Sequence, residues 1–169
     1  MQATTDLAID PAARAAWNSF LRAHAVLIRA LERELLAARG LPLAEYDVLV
    51  QLDQVPEGRL RMAQLADRVL LSRSGLTRLV ERMEASGLVR REVCPSDARG
   101  FFATITEEGR RRLVSSEEIH LRSLRDHFTG PLDSSQMGQL RQVCDRLLEG
   151  SPEEPARCPS SDQPVAEEV

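Results

Sequence analysis

The chain has 169 residues, enough for one domain with a real core, or one domain and a tail. Its net charge is −4, but the charged residues are unevenly distributed along the chain. Residues 151–169 hold five acids and one arginine, whereas residues 59–112 hold 12 arginines and seven acids, a local charge of +5. A secretory signal, an apolar run of membrane length and a C-x-x-C motif are all missing from the sequence, which predicts a soluble, cytoplasmic protein with no membrane partner.

The sequence of the N-terminal part predicts a flexible segment at residues 1–10 and then one long helix from Pro11 to Arg39. Asp10 is suited to cap this helix and Gly40 to end it. Its apolar positions recur every three or four residues and form one stripe: Trp17, Phe20, Leu21, His24, Leu27, Ile28, Leu31 and Leu35. A small domain cannot cover so long a stripe, so the pattern indicates a partner chain.

The centre of the chain predicts three shorter helices. The first spans residues 43–54, and a loop follows at residues 55–60. Met62, Leu65, Ala66 and Val69 mark the second helix, which ends in a turn at residues 70–72. The third helix, residues 72–86, is capped by Ser72 and ended by Gly87, with a buried stripe of Leu76, Leu79, Val80 and Met83.

A hairpin and two helices complete the prediction. Two β-like segments, residues 88–93 and 101–106, flank the seven-residue loop CPSDARG. Thr106 is suited to cap a helix that reaches about Phe128, and Asp133 or Ser134 to cap a last helix through Leu148. Residues 150–169 are rich in proline, serine and glutamate and predict a disordered acidic tail.

The helix at residues 72–86 carries its arginines and hydroxyls opposite its apolar stripe. Arg73, Ser74, Thr77 and Arg78 lie near its N-terminus, and such groups bind guanine edges and phosphates. Two short helices with the second exposed, followed by a hairpin, are typical of a winged helix-turn-helix. An arginine-rich helix face is usually only solvated. Here the caps, stripes, hairpin and local charge agree, and this agreement favours nucleic-acid binding.

The run from Arg61 to Gly109 resembles the MarR family of regulators, and the resemblance covers about residues 12–149. The matching motifs are LA at 65–66, SRSGLTRLV at 72–80, GLV at 87–89, D-x-R at Asp97 and Arg99, and ITEEG at 105–109. The resemblance implies a mainly α fold: a winged helix-turn-helix with long N- and C-terminal dimerisation helices and a two-stranded β wing. The dimerisation helices would be residues 11–42 and 107–149, and the DNA-binding domain residues 43–106.

The resemblance also implies a homodimer that binds a palindromic operator in double-stranded DNA. The protein would be a sequence-specific transcriptional regulator, a repressor released by a small, aromatic effector. The expected DNA contacts fall into three groups. In the major groove they are Ser72, Arg73, Ser74, Thr77 and Arg78, and in the minor groove Arg99, held in place by Asp97. The expected phosphate contacts are Arg61, Arg82 and Arg90. Two positions depart from the family pattern. Arg61-Met62 replaces the usual Ser or Thr before the short helix, and the wing reads D-A-R where the family often has D-R-R.

Weaker signals concern an effector, a metal and redox sensing. Trp17, His24 and Tyr46 are candidate effector-binding residues, although Trp17 fits a dimer core equally well. For His120 with Glu117 or His127, and for Cys94, a structural role is favoured over zinc or peroxide sensing. The sequence carries no motif of an enzyme, a cofactor site or a metal site. The alternative function is a winged-helix dimer that acts as a protein-interaction module, with its arginines on an acidic partner.

Overall fold

The computed structural model describes residues 9–69, 71–94 and 97–149. The chain divides into two compact units, the first ending at Asp133 and the second beginning at Ser134. In chain order the elements are α1 (Pro11–Arg39), α2 (Leu43–Asp53), β1 (Arg59–Arg61), α3 (Met62–Arg68), α4 (Arg73–Ala85), β2 (Val89–Cys94), β3 (Asp97–Ile105), α5 (Glu107–Leu124), a π-helix (Arg125–Thr129) and α6 (Ser134–Glu149). The predicted acidic tail and all but the end of the predicted flexible N-terminus lie outside the described residues.

Helix α1 has the predicted bounds. The Asp10 side chain accepts a hydrogen bond from Ala13 N at 3.3 Å, and Gly40 ends the helix with a φ of +61°. The Glu32 side chain accepts the N–H of Leu43 at 2.6 Å. Helix α2 begins after Pro42, which has no side-chain acceptor, so α1 supplies the cap that α2 lacks.

The core of the first unit lies where the C-terminal end of α1, helices α2 to α4 and the sheet meet. The predicted stripe of α4 is fully buried in it, which confirms the periodicity of that helix. The core side chains include Leu31, Leu35, Leu41, Tyr46, Leu49, Leu52, Leu65, Leu76, Leu79, Val80, Met83 and Ile105. The core is therefore aliphatic and holds α4 firmly by one face.

The sheet has three antiparallel strands in the order β1-β3-β2, so the prediction of a loop throughout residues 55–60 is wrong at its end. Arg59–Arg61 pairs with β3, which places Leu60 opposite Ala103, and both residues are buried. A three-residue strand is too short to show an alternating pattern. The wing loop is also shorter than predicted, because β2 extends to Cys94 and β3 starts at Asp97, with a register shift between Val93 and Cys94. The mainly α winged-helix fold is confirmed.

The helices after the wing also follow the prediction, with one change. Thr106 caps α5 by accepting from Gly109 N at 3.0 Å. The predicted helix to Phe128 changes from α to π geometry at Arg125, and Gly130 N donates to Arg125 O at 2.7 Å. Helix α6, taken by itself, buries none of its residues, and its apolar Val143, Leu147 and Leu148 are exposed.

Candidate nucleic-acid interface

Helix α4 is built to present one polar face. Ser72 Oγ accepts from Gly75 N at 3.1 Å and fixes the first turn, while the buried stripe anchors the opposite side. Four of the predicted contact residues of this helix, Arg73, Ser74, Thr77 and Arg78, lie near its N-terminus and are all exposed. They lie in the first two turns, where the helix dipole favours an anion.

The arginines around α4 differ in how far they are neutralised. Within the described ranges, Arg73 and Arg78 form no ion pair. By contrast, Arg59 pairs with Glu57 at 2.6 Å, Arg90 with Glu92 at 2.5 Å and Arg91 with Glu84 at 2.7 Å. Within the described residues, no carboxylate therefore competes with an outside ligand for the guanidinium groups at the N-terminal end of α4.

The hydroxyls on this face are partly engaged. Thr77 Oγ1 donates to Arg73 O at 2.9 Å, which leaves its lone pairs free. Ser74 Oγ lies 3.4 Å from Ser72 Oγ. Both side chains remain on the surface and keep hydrogen-bonding capacity for a phosphate or a base edge.

The three predicted phosphate contacts lie in three different environments. Arg82 is exposed on α4 and donates to Arg78 O at 3.3 Å. Arg90 is exposed but donates to the Glu92 carboxylate. Arg61 is half-buried: its Nη2 donates to Cys94 Sγ at 3.2 Å, and its guanidinium lies 5.6 Å from the Phe102 ring centre. Arg82 is thus the one of the three that the described contacts leave without a sulfur or a carboxylate partner.

The start of α3 carries the first departure from the family pattern. Arg61 has no acceptor on its side chain and cannot cap a helix. Its own N–H, however, donates to Gln64 Oε1 at 3.3 Å, which is one half of a capping box. At the wing, Asp97 and Arg99 belong to β3, but their side chains lie outside the described residues.

The predicted effector residues separate into two places. Tyr46 is buried, and its ring centre lies 4.5 Å from that of His120. Trp17 and His24 are exposed on α1, where both stack on Phe20 at 6.2 and 6.5 Å. Burial lowers the pKa of His120 and raises that of Tyr46. The Tyr46–His120 pair was missed in the sequence because the two residues lie far apart along the chain.

The residues considered for metal and redox sensing have other contacts. Within residues 9–69, 71–94 and 97–149, no group of three or more His, Cys, Asp or Glu side chains could hold a metal ion. His127 Nε2 lies 2.6 Å from Glu34 Oε1, and the Ser123 hydroxyl together with His127 lowers the pKa of Glu34. Cys94 is buried. Among the described helices, none is long and apolar enough to cross a membrane.

Comparisons with known proteins agree with this geometry. The family model described as MarR family matches residues 39–100. Sco3205, a MarR family transcriptional regulator from Streptomyces coelicolor solved in complex with DNA, is 34% identical, with 89% of this chain and 96% of that chain covered and a TM-score of 0.82. AbsC, a MarR family regulator from the same organism, is 33% identical, with coverages of 84% and 95% and a TM-score of 0.77. The HTH-type transcriptional regulator TtmR of Methylorubrum extorquens is 30% identical over 79% of this chain and 65% of its own length.

Proposed function

Because the chain belongs to the MarR family of transcriptional regulators, we propose that it binds a specific DNA sequence as a homodimer and represses transcription. The curated relatives are named as transcriptional regulators, so the prediction that the protein is not an enzyme is confirmed. A regulator of this kind works beside the chromosome, which fits the predicted cytoplasmic location.

The observation that carries the proposal is the exposed N-terminal face of α4, where Arg73 and Arg78 pair with no carboxylate of the described residues. Arg73 and Arg78 are forked donors that match the O6 and N7 atoms of guanine, and neighbouring hydroxyls suit phosphates. We refer to α4 from here as the recognition helix and propose that it lies in the major groove. Its proposed contacts are Ser72, Arg73, Ser74, Thr77, Arg78 and Arg82. Arg61 and Arg90 on phosphates, and Arg99 held by Asp97 in the minor groove, complete the proposed interface.

The homodimer is supported by the apolar stripe of α1. Only Ala30, Leu31 and Leu35 of this helix are buried, whereas Trp17 is 58% and Phe20 47% exposed. Exposed apolar patches of this kind mark protein interaction sites. A two-fold dimer with two recognition helices binds an inverted repeat, with half-site centres about one helical turn, or about 10 bp, apart.

Release by a small aromatic effector is the regulatory part of the proposal. The contact between buried Tyr46 and half-buried His120 supports it, because within the described residues His120 Nδ1 has no hydrogen-bond partner and is open to accept a hydrogen bond from a ligand hydroxyl. Trp17 and His24 on α1 remain proposed effector contacts. Trp17 is the sole tryptophan, so a saturable change of its fluorescence on titration with salicylate, corrected for absorption by the ligand against free tryptophan, reports binding near α1.

Selection of random duplex DNA at two salt concentrations tests the function. We expect enrichment of an inverted repeat, and a loss of about 1–3 kcal/mol of binding free energy with relaxed preference at one base position for Arg78→Ala. Arg122→Ala is the matched control, since Arg122 pairs with Glu118 on α5 and lies away from the recognition helix. An unenriched pool, or equal losses in both variants, refutes the proposal and favours a protein-interaction module.

A further inference from the structure

We propose that Glu84 is a positioning residue that fastens the wing hairpin to the recognition helix through Arg91. The inference rests on the proposed function for its consequence, because it concerns how the recognition helix and the wing engage two grooves together. It goes beyond the individual DNA contacts, since neither residue needs to touch DNA to act in this way.

Both carboxylate oxygens of Glu84 accept hydrogen bonds from one residue, Arg91. Its Oε1 accepts the backbone N–H of Arg91 at 2.9 Å, and its Oε2 accepts Arg91 Nε at 2.7 Å. The backbone N–H and then the guanidinium of Arg91 lower the pKa of Glu84, so the carboxylate is charged at neutral pH. A carboxylate that holds both the backbone and the side chain of one residue fixes position and orientation together.

The hydrogen bond to Arg91 N occupies a position on an open sheet edge. Strand β2 is an edge strand, because the sheet order is β1-β3-β2. An edge strand leaves N–H groups unpaired along its outer side. Glu84 belongs to the recognition helix, so it satisfies one such group from the helix that precedes the strand.

Arg91 extends the connection from the helix to both strands of the wing. Its Nη1 lies 3.4 Å from Glu81 Oε1, one turn before Glu84 on the recognition helix. Its guanidinium lies 6.0 Å from the ring centre of Phe101 on β3, and Phe101 pairs across the hairpin with Val93. We call Glu81, Glu84, Arg91 and Phe101 the wing clasp. It joins the last two turns of the recognition helix to the hairpin.

The clasp also explains why two acidic side chains are tolerated on the recognition helix. Glu81 and Glu84 would repel phosphates if they were unpaired, and Arg91 neutralises part of that charge. Loss of the Glu84 carboxylate therefore has two effects. It removes a negative charge, which raises affinity for any DNA, and it frees the wing, which weakens only binding that uses the wing.

The first test separates these two effects with two duplexes. One carries the selected site with its outer flanks, which the wing reaches, and the other is trimmed to the central major-groove positions. We expect Glu84→Ala to lower the ratio of the two affinities about fivefold, the scale of one net hydrogen bond, and Glu84→Gln, which keeps one of the two acceptor oxygens, to restore part of it. The control is Glu108→Ala, which removes the same charge from a pair with Arg111 within α5. An unchanged ratio, or the same change in the control, overturns the inference.

The second test needs no DNA. In the free protein, amide hydrogen exchange in peptides from β2 and β3 should be about fivefold faster in Glu84→Ala than in Glu108→Ala, with exchange in α2 unchanged in both. Equal exchange of the strands in the two variants overturns the clasp whatever DNA shows. If wild-type protein enriches no sequence, the proposed function fails, while the exchange result still decides the clasp.

Discussion

Replacing Thr106 by valine should destabilise the protein chiefly through lost hydrogen bonds. Thr106 Oγ1 lies 2.6 Å from Gly87 O and 3.0 Å from Leu88 O, and it accepts Gly109 N at 3.0 Å. A hydroxyl has one proton, so it donates one of the first two bonds at a time and the change removes two bonds in all. Valine matches threonine in shape, so no cavity opens.

The expected cost follows from those two bonds. Each net hydrogen bond contributes about 1 kcal/mol, and the lost helix cap leaves the Gly109 N–H without its acceptor, so we expect about 2–3 kcal/mol. Urea denaturation at a fixed protomer concentration measures the difference, because the proposed dimerisation would make apparent stability depend on concentration. The same substitution at Thr129 is the control. Its hydroxyl makes one exposed bond at 3.5 Å, and we expect less than about 0.5 kcal/mol. If Thr106→Val costs no more than Thr129→Val, the reasoning is wrong.

Two further predictions concern assembly and pH. Phe20→Glu should shift the protein towards monomer in sedimentation velocity, because it places a charge within the apolar stripe of α1. The control Asn18→Glu, on the opposite face of the same helix, should leave the sedimentation unchanged. Equal effects of the two substitutions would contradict the proposed interface. Burial lowers the pKa of His120, so the unfolded chain takes up a proton below about pH 6.5 before the folded protein does, and stability should fall between pH 7 and pH 5. Thermal melts should show a smaller fall for His120→Gln, and an equal fall would remove His120 as the cause.

Features that depend on neighbours in sequence could be predicted. The caps Asp10, Ser72 and Thr106 each bond to an N–H three residues ahead, and the α4 stripe follows one helical period. Pairings between segments that lie far apart in the chain could not be predicted. Strand β1 is defined only by its partner β3, since three residues carry no periodic signal, and the Tyr46–His120 contact joins two helices far apart in the chain.

The charge pattern shows the same limit at the candidate site. The sequence shows a local excess of arginine over residues 59–112, and the helical period of α4 correctly predicts that its arginines lie on the exposed face, opposite the buried stripe. It does not show which arginines are neutralised. Arg90 and Arg91 are as basic in the sequence as Arg73 and Arg78, but glutamates among the described residues pair with the first two and with neither of the last two. Only the three-dimensional arrangement separates structural arginines from those available to a ligand.

The three-stranded sheet has a consequence for how this protein could acquire a new DNA specificity. Strand β1 ends directly before α3, β2 begins shortly after α4, and both pair with β3. Helices α3 and α4 therefore form an insert between β1 and β2, and its two ends are held on either side of β3, about 10 Å apart. Such an insert can vary at its exposed positions while its attachment points and the buried stripe of α4 stay the same. New base preferences in the major groove can thus arise on the exposed face of α4, which we propose to contact DNA, without a change in the rest of the fold.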